Sequence, residues 1–130
     1  MCERRKCHEN ERNQVGNFGG RLSILNDVTA VASGASYNSG VYGQGNSVVM
    51  KNSLSTATGG TMNWDNGILT YGTLVVDHCD IKGDTYSIYG GSTSNAKVVF
   101  TKLDGSAVGP NYACIGAYDA NYTELGITCR

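Results

Sequence analysis

The chain has 130 residues, enough for one domain, with 16% charged residues and a formal net charge of −1. That balance gives no basic surface for nucleic acid or an anionic membrane, and no run of about 18 apolar residues is present to span a bilayer. Eighteen glycines penalise helices by roughly 1 kcal/mol at each interior site, while a single proline and the lack of a three-residue period exclude collagen.

In chain order, residues 1–21 form a polar N-terminal extension or cap. Glu3, Arg4, Arg5, Lys6, Glu9, Glu11 and Arg12 crowd it, and no apolar stretch comes after the basic residues, so it does not read as a signal peptide. Two readings stand: a loosely docked terminus, or a cover over the open end of the repeats that begin at residue 22, with Val15–Gly20 and its Phe18 as a lid. Cys2, Cys7 and His8 are three soft groups without the spacing of a zinc finger or ribbon. No metal and no cofactor is expected.

From residue 22 the chain repeats. Ile24-Leu25-Asn26-Asp27-Val28 aligns with Met50-Lys51-Asn52-Ser53-Leu54 and with Val76-Asp77-His78-Cys79-Asp80, at a spacing of 26 residues both times, and Phe100-Thr101-Lys102-Leu103 comes 24 residues later. A second column sets Gly40-Val41-Tyr42 against Gly67-Ile68-Leu69, Ser87-Ile88-Tyr89 and Cys114-Ile115-Gly116. Turn residues fill the gaps, as at Gly59-Gly60, Gly90-Gly91 and Gly109-Pro110. Each copy then carries at least two short strands that cannot bury their apolar side chains alone, and stacking copies buries them. The predicted fold is all-β: a short right-handed parallel β-helix of about four coils over 22–130, with a closing segment at 114–130. One inward ladder is expected from Val41, Ile68, Ile88 and Ile115, and another from Ile24, Met50, Val76 and Phe100. Tyr42, Leu69 and Tyr89 would face outward by period-two alternation. Asn26 and Asn52 share a register, where Asn bonds its own backbone and the next Asn; His78 replaces it in the third copy.

The stretches Val28–Gly34, Gly40-Val41-Tyr42 and Val49–Ser53 resemble the repeat of bacterial right-handed parallel β-helix proteins, which share architecture with pectate lyases. The closing Leu103-Asp104-Gly105 and Cys114–Asp119 resemble the end of such arrays. The resemblance covers about 22–130 and implies the fold, with secretion or cell-surface location as the usual setting. It does not fix a function, because the repeat encodes stacking rather than chemistry.

Carbohydrate cleavage, the commonest activity of that fold, needs clustered acids or an arginine base on one face. No arginine lies between Arg21 and Arg130. Asp77, Asp80 and Asp104 are the catalytic candidates, with Asp80 and Asp104 forming a pair if they share a face. Against that stands the ordinary role of aspartate in solvated turns. A Cys–His pair at His78-Cys79 is disfavoured, because neighbouring strand residues point apart. Tyr37, Tyr42, Trp64 and Tyr89 are candidate binding residues that would stack on sugar rings, or pair with each other to stiffen the sheet. Cys114 and Cys129 bracket the last segment, and a disulfide there would add roughly 3 kcal/mol. Such a bond implies export.

The composite expectation is a non-catalytic β-helix module serving as a binding or structural element of a secreted or surface-associated bacterial or phage-like protein. Carbohydrate is the candidate ligand. The alternatives are a small polysaccharide lyase or glycoside hydrolase, and an element that associates with its own copies through the N-terminal end.

Overall fold

A computed structural model describes residues 7–9, 12–14, 17–19, 22–45 and 47–130; for those before 22 it describes the backbone alone. The strands among them come in this order: β1 (Cys7–Glu9), β2 (Arg12–Gln14) and β3 (Asn17–Gly19); β4 (Ser23–Asn26), β5 (Thr29–Ser33) and β6 (Tyr37–Gln44); β7 (Ser47–Lys51), β8 (Leu54–Thr58) and β9 (Asp65–Thr70); β10 (Thr73–Asp77) and β11 (Asp80–Gly90); β12 (Asn95–Val99) and β13 (Lys102–Val108); β14 (Asn111–Ile115) and β15 (Tyr118–Asp119). The chain is all-β with its strands in two sheets. Five strands pair in parallel in the order β14-β12-β10-β7-β4. The other sheet runs β1-β2-β6-β9-β11-β13-β15, with β3 on β6 and with β8 pairing both β5 and β11. Among the described residues, the strand pairs of this sheet are parallel except β1 on β2. This arrangement is consistent with a parallel β-solenoid.

Registers show how the repeat buries its core. Leu25, Met50, Val76, Val98 and Cys114 are successive partners and all are buried. So are Val41, Ile68, Ile88 and Ala107. Full burial of a large aliphatic side chain contributes about 1.5–3 kcal/mol. The ladders expected from the sequence therefore need correction at three rungs. Ile24, Phe100 and Ile115 are 66%, 52% and 53% exposed, and Leu25, Val98 and Ala107 stand in their places. The first spacing is 25 rather than 26, since Leu25 opposes Met50. A slip of one residue sends a whole strand's side chains to the other face. In the second column Ile115 belongs to β14, opposite Val99, and not to the Val41–Ile68 ladder. Tyr42, Leu69 and Tyr89 are partners, but Leu69 between the two tyrosines is buried.

The corner after the five-stranded sheet explains the slip. Asp27, Asn52, His78, Phe100 and Gly116 all have positive φ, from 43° to 60°. Each of the first four donates its N–H to the last strand residue of the next copy: Asp27 to Lys51 (3.2 Å), Asn52 to Asp77 (3.1 Å), His78 to Val99 (3.1 Å) and Phe100 to Ile115 (2.9 Å). Asn and Asp tolerate this left-handed backbone. Phe100 does not by nature, and its ring lies against His78 and over Gly116, where a Cβ would come within 2.6 Å of it. The next residue inward is small and bridges copies: Ser53 Oγ accepts from Val28 N–H (2.9 Å), and Thr101 Oγ1 accepts from Cys79 N–H (3.2 Å). His78 thus holds the same corner as Asn52. Asn26 lies one residue earlier, yet Asn52 Nδ2 still donates to its Oδ1 (3.3 Å).

At the C-terminal end the chain folds back over the last strands. Cys114 and Cys129 form a disulfide, with Cα atoms 5.2 Å apart. Cys114 N–H donates to Ile127 C=O (2.8 Å), Leu125 N–H donates to Ala117 C=O (2.8 Å), and Tyr118 bridges Glu124. Leu125 packs on the core, whereas Tyr122 is 73% exposed and stacks on Tyr118. At the other end β2 and β3 of the polar extension lie in parallel along β6. Val15 and Gly20 of the expected lid lie outside the described residues, as does the Phe18 side chain.

Tyr112 reports on this packing. Its hydroxyl donates to Val108 C=O (2.9 Å), and burial, helped by the nearby Tyr89 phenol, pushes its pKa upward from 10.0. A raised folded-state pKa means that the folded chain holds this proton more tightly than the unfolded chain. The resulting stability is complete below pH 10 and is lost as pH rises above it. Thermal unfolding midpoints should therefore fall above pH 10 in the native chain and fall less in Tyr112→Phe. Parallel alkaline losses in the two proteins would place the effect elsewhere.

Candidate functional site

The outer surface of β11 and β13 holds two of the candidate acids. Alternation buries Ile81 and Leu103 and turns Asp80, Lys82, Lys102 and Asp104 outward. Asp80 and Asp104 do share a face, but register places a lysine opposite each. Lys82 Nζ lies 3.2 Å from Asp104, and Lys102 Nζ lies 3.7 Å from Asp80. The four groups form a checkerboard of opposite charge, an arrangement that stabilises a sheet surface. Asp77 lies apart on β10, and its Oδ1 is 2.6 Å from His78 Nδ1. The nearby Cys79 is buried, its thiol contacts the carbonyls of Met50 and Asp77, and burial raises its pKa. That keeps the thiol protonated, and at the corner the buried Cys79 side chain points inward while the His78 ring is exposed. A groove of about 550 Å3 runs along this corner past Asn52, His78, Asp80, Phe100 and Tyr118.

The aromatic candidates separate into groups. Trp64 and Tyr89 meet, with ring centroids 4.7 Å apart, and Tyr86 completes the cluster at 5.8 Å from Trp64 and 5.3 Å from Tyr89. All three are half-buried, so each keeps part of its surface open to solvent. Tyr42 instead meets Tyr71 edge to face at 6.2 Å. Among the described residues no ring contact joins Tyr37 to either group. Tyr86 and Tyr71 are not among the residues the sequence singles out. An odd separation, as between Tyr86 and Tyr89, places strand residues on opposite faces. Here β11 changes register around Tyr86, and that irregularity brings both rings to one side.

Beneath this region lies a buried polar layer that the sequence alone does not announce. Asp65 is 2% exposed; its Oδ1 accepts from Asn38 Nδ2 (2.8 Å) and its Oδ2 from Gly60 N–H (2.6 Å). These bonds compensate the carboxylate for leaving water. They also fix the loop that carries Trp64.

Among the described residues no three His, Cys, Asp or Glu side chains are placed to hold a metal ion. Cys2 and the side chains of Cys7 and His8 lie outside the described residues. Among the described residues no helix is long and apolar enough to cross a membrane. Compared with protein-family models, with curated proteins and with solved structures, the chain gives no match.

Proposed function

We propose that this chain is a non-catalytic right-handed parallel β-helix of about four coils that binds carbohydrate, as a module of a secreted or surface-associated bacterial or phage-like protein. The observation that carries the ligand is the Trp64–Tyr86–Tyr89 cluster. A sugar ring has an apolar face of C–H groups that packs on aromatic surface and a rim of hydroxyls that bonds to phenols. Tyr86 and Tyr89 on β11, with Trp64 on a loop held by the bonds of Asp65 to Asn38 and Gly60, offer both with little left to order, which spares part of the cost of immobilisation. The β-helix reading draws support from the parallel registers and from the repeat's resemblance to bacterial β-helix proteins.

A glycan array, followed by calorimetric titration of the best sugar, tests the ligand. Trp64→Ala and Tyr89→Ala should each weaken binding at least about tenfold, corresponding to roughly 1.4 kcal/mol, while Tyr37→Ala leaves it unchanged. Binding indifferent to Trp64 would remove the aromatic cluster from the proposal.

Lysine pairing at Asp80 and Asp104 favours the non-catalytic reading over a lyase or hydrolase. Incubation with pectin-like polymers should release neither unsaturated products nor reducing ends. Release that disappears in Asp80→Asn would establish the enzyme instead.

A further inference from the structure

The ten-stranded sheet has two ends. At one, among the described residues, β1 pairs only with β2, β3 only with β6 and β5 only with β8. At the other, β13 pairs with β11 as far as Val108, but β15 covers only Lys102 and Leu103. Among the described residues no strand pairs with the outer edge of 104–108. Neighbouring edges at that end are closed by the tail through Ile127 and Glu124. The bare stretch borders a groove of about 550 Å3 whose far wall includes Asn121, Leu125 and Arg130.

We propose that the 104–108 edge of one copy pairs with β1 of a second copy, so that the sheet continues head to tail. Both edges belong to one sheet, and register selects β1: the column of partners from Ser106 runs through Tyr86, Asn66, Ser39 and Gln14 to Cys7, so a copy translated along the stack sets Ser106 over β1. A two-fold contact of β13 with β13 would leave every β1 unpaired. Strand direction sets the junction: β2, β6, β9, β11 and β13 run parallel, and β1 opposes them. The new pair is therefore antiparallel, with the straight hydrogen bonds of that arrangement. A heterologous contact of this kind does not close, so assembly continues past two copies. Such assembly is independent of carbohydrate binding.

Sedimentation equilibrium of the full, oxidised chain from micromolar to submillimolar concentration tests it. The mean mass should climb past two copies. Ser106→Lys, which sets a charge on the exposed edge, should return the mass to one copy with the β-sheet circular dichroism retained. His8→Pro, which removes a backbone donor from β1, should do the same and decides the matter if the lysine variant fails to fold. A native chain that stays monomeric, one that stops at two copies, or assembly that survives both substitutions overturns the proposal.

Discussion

Ile68→Ala is expected to lower the free energy of unfolding by about 2–5 kcal/mol, the loss of transfer energy plus that of an unfilled cavity. Ile68 sits in a middle repeat with Val41 on one side and Ile88 on the other, all three buried. Neighbours in stacked strands are held by hydrogen bonds along the ladder and cannot collapse into the space. Tyr42→Ala should cost far less, because Tyr42 is half-exposed and its edge-to-face contact with Tyr71 contributes only about 0.5–1.5 kcal/mol. Ile115→Ala, at an exposed position, should change stability by no more than about 0.5 kcal/mol. Urea unfolding of the three variants checks the order. Equal losses for Ile68 and Tyr42 would mean that the faces are assigned wrongly.

The contrast between Ile68 and Ile115 also shows what the sequence carried and what it hid. Parallel stacking was legible because each repeat needs apolar residues at fixed positions, and Met50 and Val76 meet at the 26-residue spacing. Register in the first repeat was not legible, because the corner that sets it is a backbone conformation. Asp27, Asn52, His78, Phe100 and Gly116 share positive φ and share no chemistry. Aligning Asn26 with Asn52 by residue type is therefore off by one, and Ile24 is exposed where Leu25 is buried.

The candidate site divides on the same ground. Trp64 and Tyr89 come together because one lies at the mouth of β9 and the other on its neighbour β11, both placed by the repeat. Tyr86 joins them through a local irregularity that alternation cannot anticipate. The Asp80–Lys102 and Lys82–Asp104 pairs come from a 22-residue offset between β11 and β13, visible only once the two strands are set side by side. Asp65 is not singled out by the sequence, where it stands beside Asn66-Gly67, and the enclosing Asn38 and Gly60 make it interior.

Reducing the Cys114–Cys129 bond is expected to cost about 3 kcal/mol, the closure entropy restored to an unfolded loop of this length. The tail has little else to hold it. Ile127 is 82% exposed, and Leu125 is the one large aliphatic of the tail set against the core. Its backbone bonds to Cys114 and Ala117 cover strand edges that would otherwise face water, and water can replace those bonds at small net cost. Reduction should therefore act locally before it acts globally: hydrogen exchange at the Cys114 and Leu125 amides should accelerate more than at Met50 or Ile68. Unfolding with and without reductant, read with exchange, separates the two effects. If the midpoint and the Leu125 exchange rate were both unmoved by reductant, Leu125 and the backbone bonds would hold the end without the disulfide. A loss near 3 kcal/mol would instead make the closed end conditional on an oxidising environment, the setting in which such bonds persist.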